Sequence, residues 1–179
     1  MKPNQSEKDD SYAKTPDVLL EPVRERSRGG AAFLLAQVGA HAASKFAERL
    51  EQLKLIPAHA GILRILGARP GISQQTLATA LGALPSRLVA LVDDLESRGL
   101  LQRQPHETDR RTYALQLTEA GKSALQAIGR IAREHQQTLL TALGSDEQQQ
   151  LAALLQRIAD QQGLIQQVHP GYAKSERLK

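Results

Sequence analysis

The length of 179 residues suits a single domain with extra helices and tails. With 41% hydrophobic but only 3% aromatic residues, the core is expected to consist of Leu, Ile and Ala packed in helices. The net charge of +4 favours a polyanionic partner without establishing one, and the absence of cysteine excludes disulfides, thiol redox sensing and thiolate metal ligands. No stretch approaches the roughly 18 apolar residues of a membrane span, so a cytoplasmic protein is expected.

The N-terminal segment, residues 1–29, is polar and holds three prolines with six basic and six acidic side chains. Such a segment has little apolar surface with which to fold alone. It is predicted to be a disordered arm, with contact to DNA or to a neighbouring subunit as the alternative.

A long amphipathic helix is predicted from Ala31 to Lys54, because apolar residues recur along it at intervals of three and four. This stripe is longer than one small domain needs, so residues 30–56 are predicted to form a dimerisation helix. Pro57 then begins a short helix that ends near Gly67. The apolar stripe of the long helix consists of Leu35, Val38, Ala42, Phe46, Leu50 and Leu53.

Two short helices joined by a tight turn are predicted next. Ser73 is a good N-cap for the first helix, and Gly82 allows the turn that follows it. The second helix runs from Pro85 to about Arg98, just before Gly99. Such a pair presents its second helix to the major groove of DNA as a recognition helix. The inward stripe of that helix is predicted to be Leu88, Leu91, Val92 and Leu95.

The period changes from helix to strand after the recognition helix. Tyr113, Leu115 and Leu117 alternate at period two, and residues 100–104 are the predicted partner strand. The loop between the strands, PHETDRR, is polar and holds two adjacent arginines. A hairpin tip of this kind is typical of a wing, since arginine can enter a narrow minor groove.

Two further long helices are predicted beyond the hairpin. Thr118 suits the N-cap of a helix that ends at Gly144, and Ser145 with Gln148 would form a capping box for the last helix. Residues 118–168 are therefore predicted to be dimerisation helices, with completion of a monomeric core as the alternative. A basic tail, 169–179, follows. The stripe of the last helix is predicted to be Leu151, Leu154, Leu155, Ile158 and Ile165.

Three motifs occur in a fixed order: LVDDLESRGLLQR at the end of the recognition helix, DRR at the wing tip, and LTEAG where a long helix begins. In this order and spacing the chain resembles the MarR family of bacterial transcriptional regulators over roughly residues 31–167. The resemblance implies a mainly α fold with a small β-hairpin wing, a winged helix-turn-helix at 57–117 flanked by long dimerisation helices. It also implies a homodimer that binds a pseudo-palindromic operator in double-stranded DNA, most commonly as a repressor.

The resemblance assigns roles in the wing. Arg111 looks like the family's minor-groove arginine, Asp109 looks like the carboxylate that holds it, and Arg110 is expected to meet phosphate. A solvated charged turn is the alternative for this loop.

The recognition helix departs from the family pattern. Val89 and Ala90 stand where many relatives carry Thr-Arg, and they can contact a thymine methyl group but cannot hydrogen-bond a base edge. Arg87 can pair with guanine or contact phosphate, whereas Asp93 and Asp94 are expected to form a solvated patch. The predicted DNA-contacting residues are Ser73, Gln75, Pro85, Ser86, Arg87, Val89, Ala90, Asp109, Arg110 and Arg111.

The family's usual effector is a small anionic or phenolic ligand lodged between the dimerisation helices and the DNA-binding lobes. His41, His59 and Arg64 are predicted near that crevice, with packed or solvated side chains as the alternative. No nucleophile elbow, HExxH helix or metal-ligand cluster occurs, so no enzymatic activity, cofactor or metal is expected. The rival interpretation is a winged helix for protein contacts or for non-specific, architectural DNA binding.

Overall fold

The computed structural model describes residues 29–105 and 113–164. The chain divides into two compact units, Met1–Val38 and Gly39–Lys179, and the first helix crosses the boundary between them. The mainly helical fold with one antiparallel hairpin confirms the predicted fold class. In chain order the elements are α1 (Ala31–Leu50), α2 (Pro57–Ala68), α3 (Gln74–Leu81), α4 (Pro85–Ser97), β1 (Leu101–Pro105), β2 (Tyr113–Leu117), α5 (Glu119–Leu139) and α6 (Ser145–Gln161).

The first helix ends four residues earlier than its periodicity predicts. After Leu50 the chain forms a 3-10 turn, Glu51–Leu53, and Lys54 closes it with a left-handed φ of 54°. The Lys54 N–H donates to the Glu51 carbonyl oxygen at 2.8 Å. This turn stops the α-helix and directs the chain to Pro57, whose fixed φ suits the first turn of α2.

The core lies among α2, α3, α4, α5 and the hairpin, and the end of α1 contributes Leu50. The inward stripe predicted for the recognition helix is confirmed for Leu88, Val92 and Leu95, which are fully buried, while Leu91 is half-buried and packs against the core. Burial of such side chains contributes about 1.5–3 kcal/mol each, which anchors α4 by one face. The largest fully buried side chains of the other elements are Leu50, Leu55, Ile62, Leu63, Leu66, Leu77, Leu81, Leu101 and Leu115.

The predicted helix starts at Ser73 and Thr118 are confirmed. The Ser73 hydroxyl accepts from the Thr76 N–H at 3.1 Å, and the Thr118 hydroxyl accepts from the Gly121 N–H at 3.0 Å. Each bond satisfies a backbone donor that the first helical turn leaves without a partner.

The two helices of the helix-turn-helix are bent by 115° about the break between α3 and α4. Gly82 makes this possible, because its φ of 58° ends α3 in the left-handed region. The angle lies within the range of about 90–120° for this motif. No single described helix is long and apolar enough to cross a membrane, although α3 and α4 pass that test of length and composition when taken together.

The hairpin pairs Leu101 with Leu117 at its base and Pro105 with Tyr113 at the end next to the wing loop. The other edge of β2 is also used, since the Leu115 N–H donates to the Ile72 carbonyl oxygen at 3.0 Å. The predicted strand is confirmed over Tyr113–Leu117, and along its predicted face Leu115 is fully buried, Leu117 is half-buried and Tyr113 is 57% exposed. Tyr113 lies beyond the core, where the strands leave the body of the domain.

The boundary between α5 and α6 differs from the prediction. The helix α5 ends at Leu139 and not at Gly144, which instead is the N-cap of α6. The predicted capping box of Ser145 and Gln148 is wrong, because Glu147 accepts the Gly144 N–H at 2.8 Å. Gln148 donates to the carbonyl oxygens of Leu140 and Leu143, at 3.3 and 3.0 Å, and so holds the turn between the helices.

Candidate DNA-binding surface

The outer face of α4 lies opposite the buried stripe. Its residues are exposed and follow the spacing of one helical face, so they point away from the core. Val89 keeps 40% of its surface exposed, although an isolated valine usually prefers burial. The outer face of α4 consists of Ser86, Val89, Ala90 and Asp93.

The N-terminal turn of α4 is open to an anion. Pro85 occupies its first position, Arg87 is exposed, and the turn contains no acidic residue. The positive end of the helix dipole and the free backbone N–H groups favour a phosphate at such a terminus.

The start of α3 holds the two remaining predicted contacts outside the wing. Ser73 is half-buried and its hydroxyl serves as the N-cap of α3, while also lying 2.9 Å from the Thr76 hydroxyl. The side chain of Gln75 is exposed on the first turn. Gln75 is thus available to a partner, whereas the Ser73 hydroxyl is already engaged.

The predicted wing-tip residues Asp109, Arg110 and Arg111 lie outside the described residues. The strands that lead to the tip are described up to the pair of Pro105 and Tyr113.

A cluster that the sequence interpretation missed joins the wing strand to the recognition helix. The Arg103 backbone N–H donates to Glu96 Oε1 at 3.1 Å, and Nη1 of its guanidinium donates to Glu96 Oε2. Nη2 donates to Asp93 Oδ1 at 2.5 Å and to Gln74 Oε1 at 3.3 Å. Partial burial disfavours the charge of Arg103, but the two carboxylates outweigh it and raise the pKa of Arg103. We call these four residues the Arg103 cluster.

The predicted patch of Asp93 and Asp94 is exposed to solvent, but the prediction missed that both carboxylates also have partners in the folded chain. Asp94 Oδ2 lies 3.2 Å from Nε2 of His59 and 3.1 Å from Nε of Arg98. Arg98 also donates to the Lys54 carbonyl oxygen. The available sequence signal was the charge pattern itself, with acids on one helix followed by arginines beyond it, but spacing alone does not show that they meet.

His59 is 5% exposed and connects α2 to the recognition helix. Its Nδ1 faces the Ile56 N–H at 3.5 Å, while Nε2 faces Asp94. Burial lowers the pKa of His59, against the opposing charge of Asp94 and together with that of Arg98. Both ring nitrogens of a neutral His59 are engaged, so its contacts argue against the ligand role that the sequence predicted.

The other two predicted ligand residues lie on different helices. His41 is exposed on α1, and Arg64 is half-buried on α2. Burial lowers the pKa of His135 on α5, and the positive charges of Arg49 and His41 lower it further, which places His41 within electrostatic range of that helix. Phe46 and His135 pack with ring centroids 5.7 Å apart.

An open pocket of about 480 Å³ lies between α2, β2 and the start of α5. Its lining combines apolar side chains with one ammonium group, that of Lys122, which lies 2.7 Å from the Glu119 carboxylate. None of the three predicted ligand residues lines this pocket. The lining consists of Leu66, Gly67, Pro70, Gln116, Leu117, Lys122, Leu125 and Gln126.

A helix-turn-helix with an outward recognition helix, followed by a hairpin wing, defines a winged-helix DNA-binding protein. Comparison with known proteins identifies the family within this class of DNA-binding proteins. The family model of the MarR family matches residues 53–112. The chain is also similar to a protein described as a transcriptional regulatory protein for the hcr operon of Thauera aromatica. The two share 32% identity over 141 residues, which cover 78% of this chain and 85% of the relative.

Solved structures of regulators are also similar to this chain in fold. The chain is similar to the transcriptional repressor CouR bound to a 23-mer DNA duplex, with a TM-score of 0.66 and 33% identity over 72% of this chain and 92% of CouR. Wild-type MarR from E. coli has a TM-score of 0.65 at 22% identity, covers 72% of this chain and 95% of its own, and shows the fold alone. The chain belongs to the MarR family of transcriptional regulators, which are not enzymes.

Proposed function

We propose that this protein is a cytoplasmic repressor that binds a pseudo-palindromic operator in double-stranded DNA as a homodimer. The observation that carries the proposal is the division of α4 into a fully buried stripe and an exposed outer face. A helix anchored in this way can enter a major groove without unfolding any of its own contacts. The similarity to CouR, a transcriptional repressor whose structure contains a bound DNA duplex, supports the same function.

The proposed base-reading residues are Ser86, Val89 and Ala90 on the outer face of α4, together with Arg87. Since Val89 and Ala90 have no hydrogen-bonding side chain, they are suited to the methyl group of thymine, while Arg87 is suited to guanine or phosphate. We further propose that Gln75, the Ser73 region and the N-terminal turn at Pro85 contact the sugar-phosphate backbone. Arg110 and Arg111, with Asp109 as an orienting carboxylate, retain their proposed contacts in the wing.

The homodimer is supported by apolar side chains that the described chain leaves exposed. On α1 these are Phe33, Leu34, Leu35 and Val38, and on α6 they are Leu154, Leu155 and Ile158. Exposed apolar stripes on both terminal helices are expected where a second copy covers them. Two copies related by a two-fold axis can place their recognition helices in successive major grooves, about 34 Å apart. Residues 30–56 and 118–168 remain the proposed dimerisation segments, and 57–117 the proposed DNA-binding domain.

A small anionic or phenolic effector is proposed to release the operator. The apolar wall of the pocket suits an aromatic ring, and a carboxylate or phenolate of the ligand would share the Lys122 ammonium with Glu119. Such a ligand regulates binding only if its affinity differs between the free and the DNA-bound conformation.

The test is selection of duplexes from a random-sequence pool by the purified protein, followed by fluorescence anisotropy. We call the enriched sequence the selected duplex and a version with permuted bases the scrambled duplex. The selected duplex is expected to bind about 10³-fold more tightly at physiological salt, with two chains per duplex. Enrichment of no sequence, with equal and strongly salt-dependent affinities, would instead support the architectural function.

A further inference from the structure

Arg103 connects the wing to the recognition helix through its backbone and through its side chain. Its backbone N–H and its guanidinium both donate to Glu96, so the strand and the side chain are fixed to the same carboxylate. A second carboxylate one turn earlier on α4, that of Asp93, accepts a hydrogen bond from Nη2 of the same guanidinium. A planar guanidinium shared between two carboxylates of one helix restricts the rotation of that helix about its axis.

This connection lies beside the surface that meets DNA. Asp93 is one helical turn from Val89 and Ala90 on the outer face of α4, while Arg103 belongs to the strand that leads into the wing loop. The Arg103 side chain is 22% exposed and that of Asp93 is 55% exposed. Ion pairs to carboxylates as exposed as that of Asp93 contribute little to the free energy of unfolding. Their main consequence is that they fix the angle between α4 and the hairpin.

We propose that Arg103 is a positioning residue for operator selection. Through Glu96 and Asp93 it sets the orientation of the recognition helix relative to the wing strand, and it does so without contacting DNA. The proposal rests on the proposed function, since it concerns how that function achieves selectivity.

Operator selection and general DNA affinity depend on this orientation to different degrees. Selective binding requires base contacts in the major groove while the wing occupies its own place on the duplex. Non-selective binding requires only cations near phosphates, and it tolerates a change of angle. Loss of the Arg103 cluster should therefore lower affinity for the selected duplex far more than affinity for the scrambled duplex.

The experiment measures the ratio of the affinity for the selected duplex to that for the scrambled duplex by fluorescence anisotropy. It is a double-mutant cycle with R103M, E96Q and the double variant. Each single variant is expected to lower the ratio about 10-fold, which is the loss expected when one fitted base contact is misplaced. The double variant is expected to lower it no further than either single variant, because both changes break the same connection.

The matched control is R98M. Arg98 also pairs with an acid of α4, but its partners are Asp94 and the Lys54 carbonyl oxygen and not residues of the Arg103 cluster. The variant R98M removes the same charge as R103M, so it should weaken binding to both duplexes similarly and leave the ratio of affinities unchanged. Circular dichroism establishes which variants fold, and if R103M does not fold, E96Q and R103K carry the test.

The outcomes separate the explanations. If R103M weakens the selected and the scrambled duplex by the same factor while E96Q weakens neither, Arg103 contacts phosphate itself and the positioning role is overturned. If both variants weaken the two duplexes equally, in step with a smaller folded fraction, the cluster is only structural. A wild-type protein that selects no sequence overturns the proposed function, and this inference with it, whereas a selective wild type with unchanged ratios in the variants overturns this inference alone.

Discussion

At Val89 the proposed recognition depends on a contact that has no hydrogen bond. Replacing thymine by deoxyuridine removes only the methyl group that an exposed valine can cover. One such substitution in each half-site is expected to weaken the wild type about 4-fold per lost contact, from roughly 0.8 kcal/mol per buried methyl group. Anisotropy on duplexes substituted one thymine at a time gives the measurement.

The control for this prediction is the variant V89S, which lacks both valine methyl groups and keeps the helix. It should bind more weakly and show no further loss at the thymine that the wild type senses. If uracil weakens the wild type and V89S equally at every position, Val89 is not the residue that reads the methyl group.

His59 makes stability depend on pH, because its pKa is lowered in the folded chain, mainly by burial. The unfolded chain then binds protons more readily than the folded chain below pH ~6.5, the ordinary pKa of histidine. The free energy of unfolding is expected to be constant above this pH and to fall as the pH is lowered from about 6.5 towards 5. Urea unfolding followed by circular dichroism at several pH values measures it.

The variant H59Q keeps a polar group facing Asp94 but does not titrate in this range, so its loss of stability on acidification should be smaller. His135 also has a lowered pKa, but it is less buried than His59, and H135Q is the matched control that should retain most of the wild-type dependence. Parallel curves for wild type and H59Q would show that other groups cause the pH dependence.

Among the glycines of the described chain, Gly121 has the closest neighbour, where the start of α5 meets the residue just before β1. A Cβ atom at Gly121 would lie 1.9 Å from the Leu100 carbonyl oxygen. That oxygen cannot move freely, because it accepts the Thr118 N–H at 3.2 Å, and the Thr118 hydroxyl in turn donates to the Gly99 carbonyl oxygen at 2.6 Å. Glycine at position 121 thus allows α5 to start directly on the base of the hairpin.

The substitution G121A is expected to lower the free energy of unfolding by about 1–3 kcal/mol, as overpacking against backbone does. Gly129 on the same helix is the matched control, since its Cβ would meet only Arg133 Nη1 at 3.6 Å. There, alanine should stabilise the helix by about 0.5–1 kcal/mol. Urea unfolding of both variants checks the pair, and equal effects would show that the close approach at Gly121 has no energetic role.

At the scale of the whole molecule, the last helix is apolar where nothing in the described chain covers it. Leu154, Leu155 and Ile158 are 46%, 37% and 44% exposed, and α6 has no fully buried residue. The double variant L154E/I158E is expected to sediment as a monomer, because carboxylates without partners are costly to bury in an interface. It should also lose the two-chain stoichiometry on the selected duplex.

The control Q149E adds a charge on the polar face of α6 and should remain dimeric with unchanged DNA affinity. Analytical ultracentrifugation at several concentrations distinguishes the two variants. A monomeric wild type, or a dimeric L154E/I158E, would contradict the proposed role of this helix.

Features that depend on neighbours in the sequence could be predicted. The buried stripe of α4, the N-caps Ser73 and Thr118 and the left-handed glycines at 82 and 99 follow from helical periodicity and from backbone groups a few residues apart. The early end of α1 could not be predicted in this way, because its apolar pattern continues through the 3-10 turn.

The sequence by itself therefore determined the class of protein, its elements and the face of the recognition helix that points outwards. Only the tertiary structure decided the partners of the charged groups, such as Arg103 with Asp93 and Glu96, and His59 with Asp94. A stripe or a cap is set by local geometry and recurs at fixed spacing. The partner of a charged side chain depends on how the turns at Gly82 and Gly99 bring distant elements together, which no local pattern specifies.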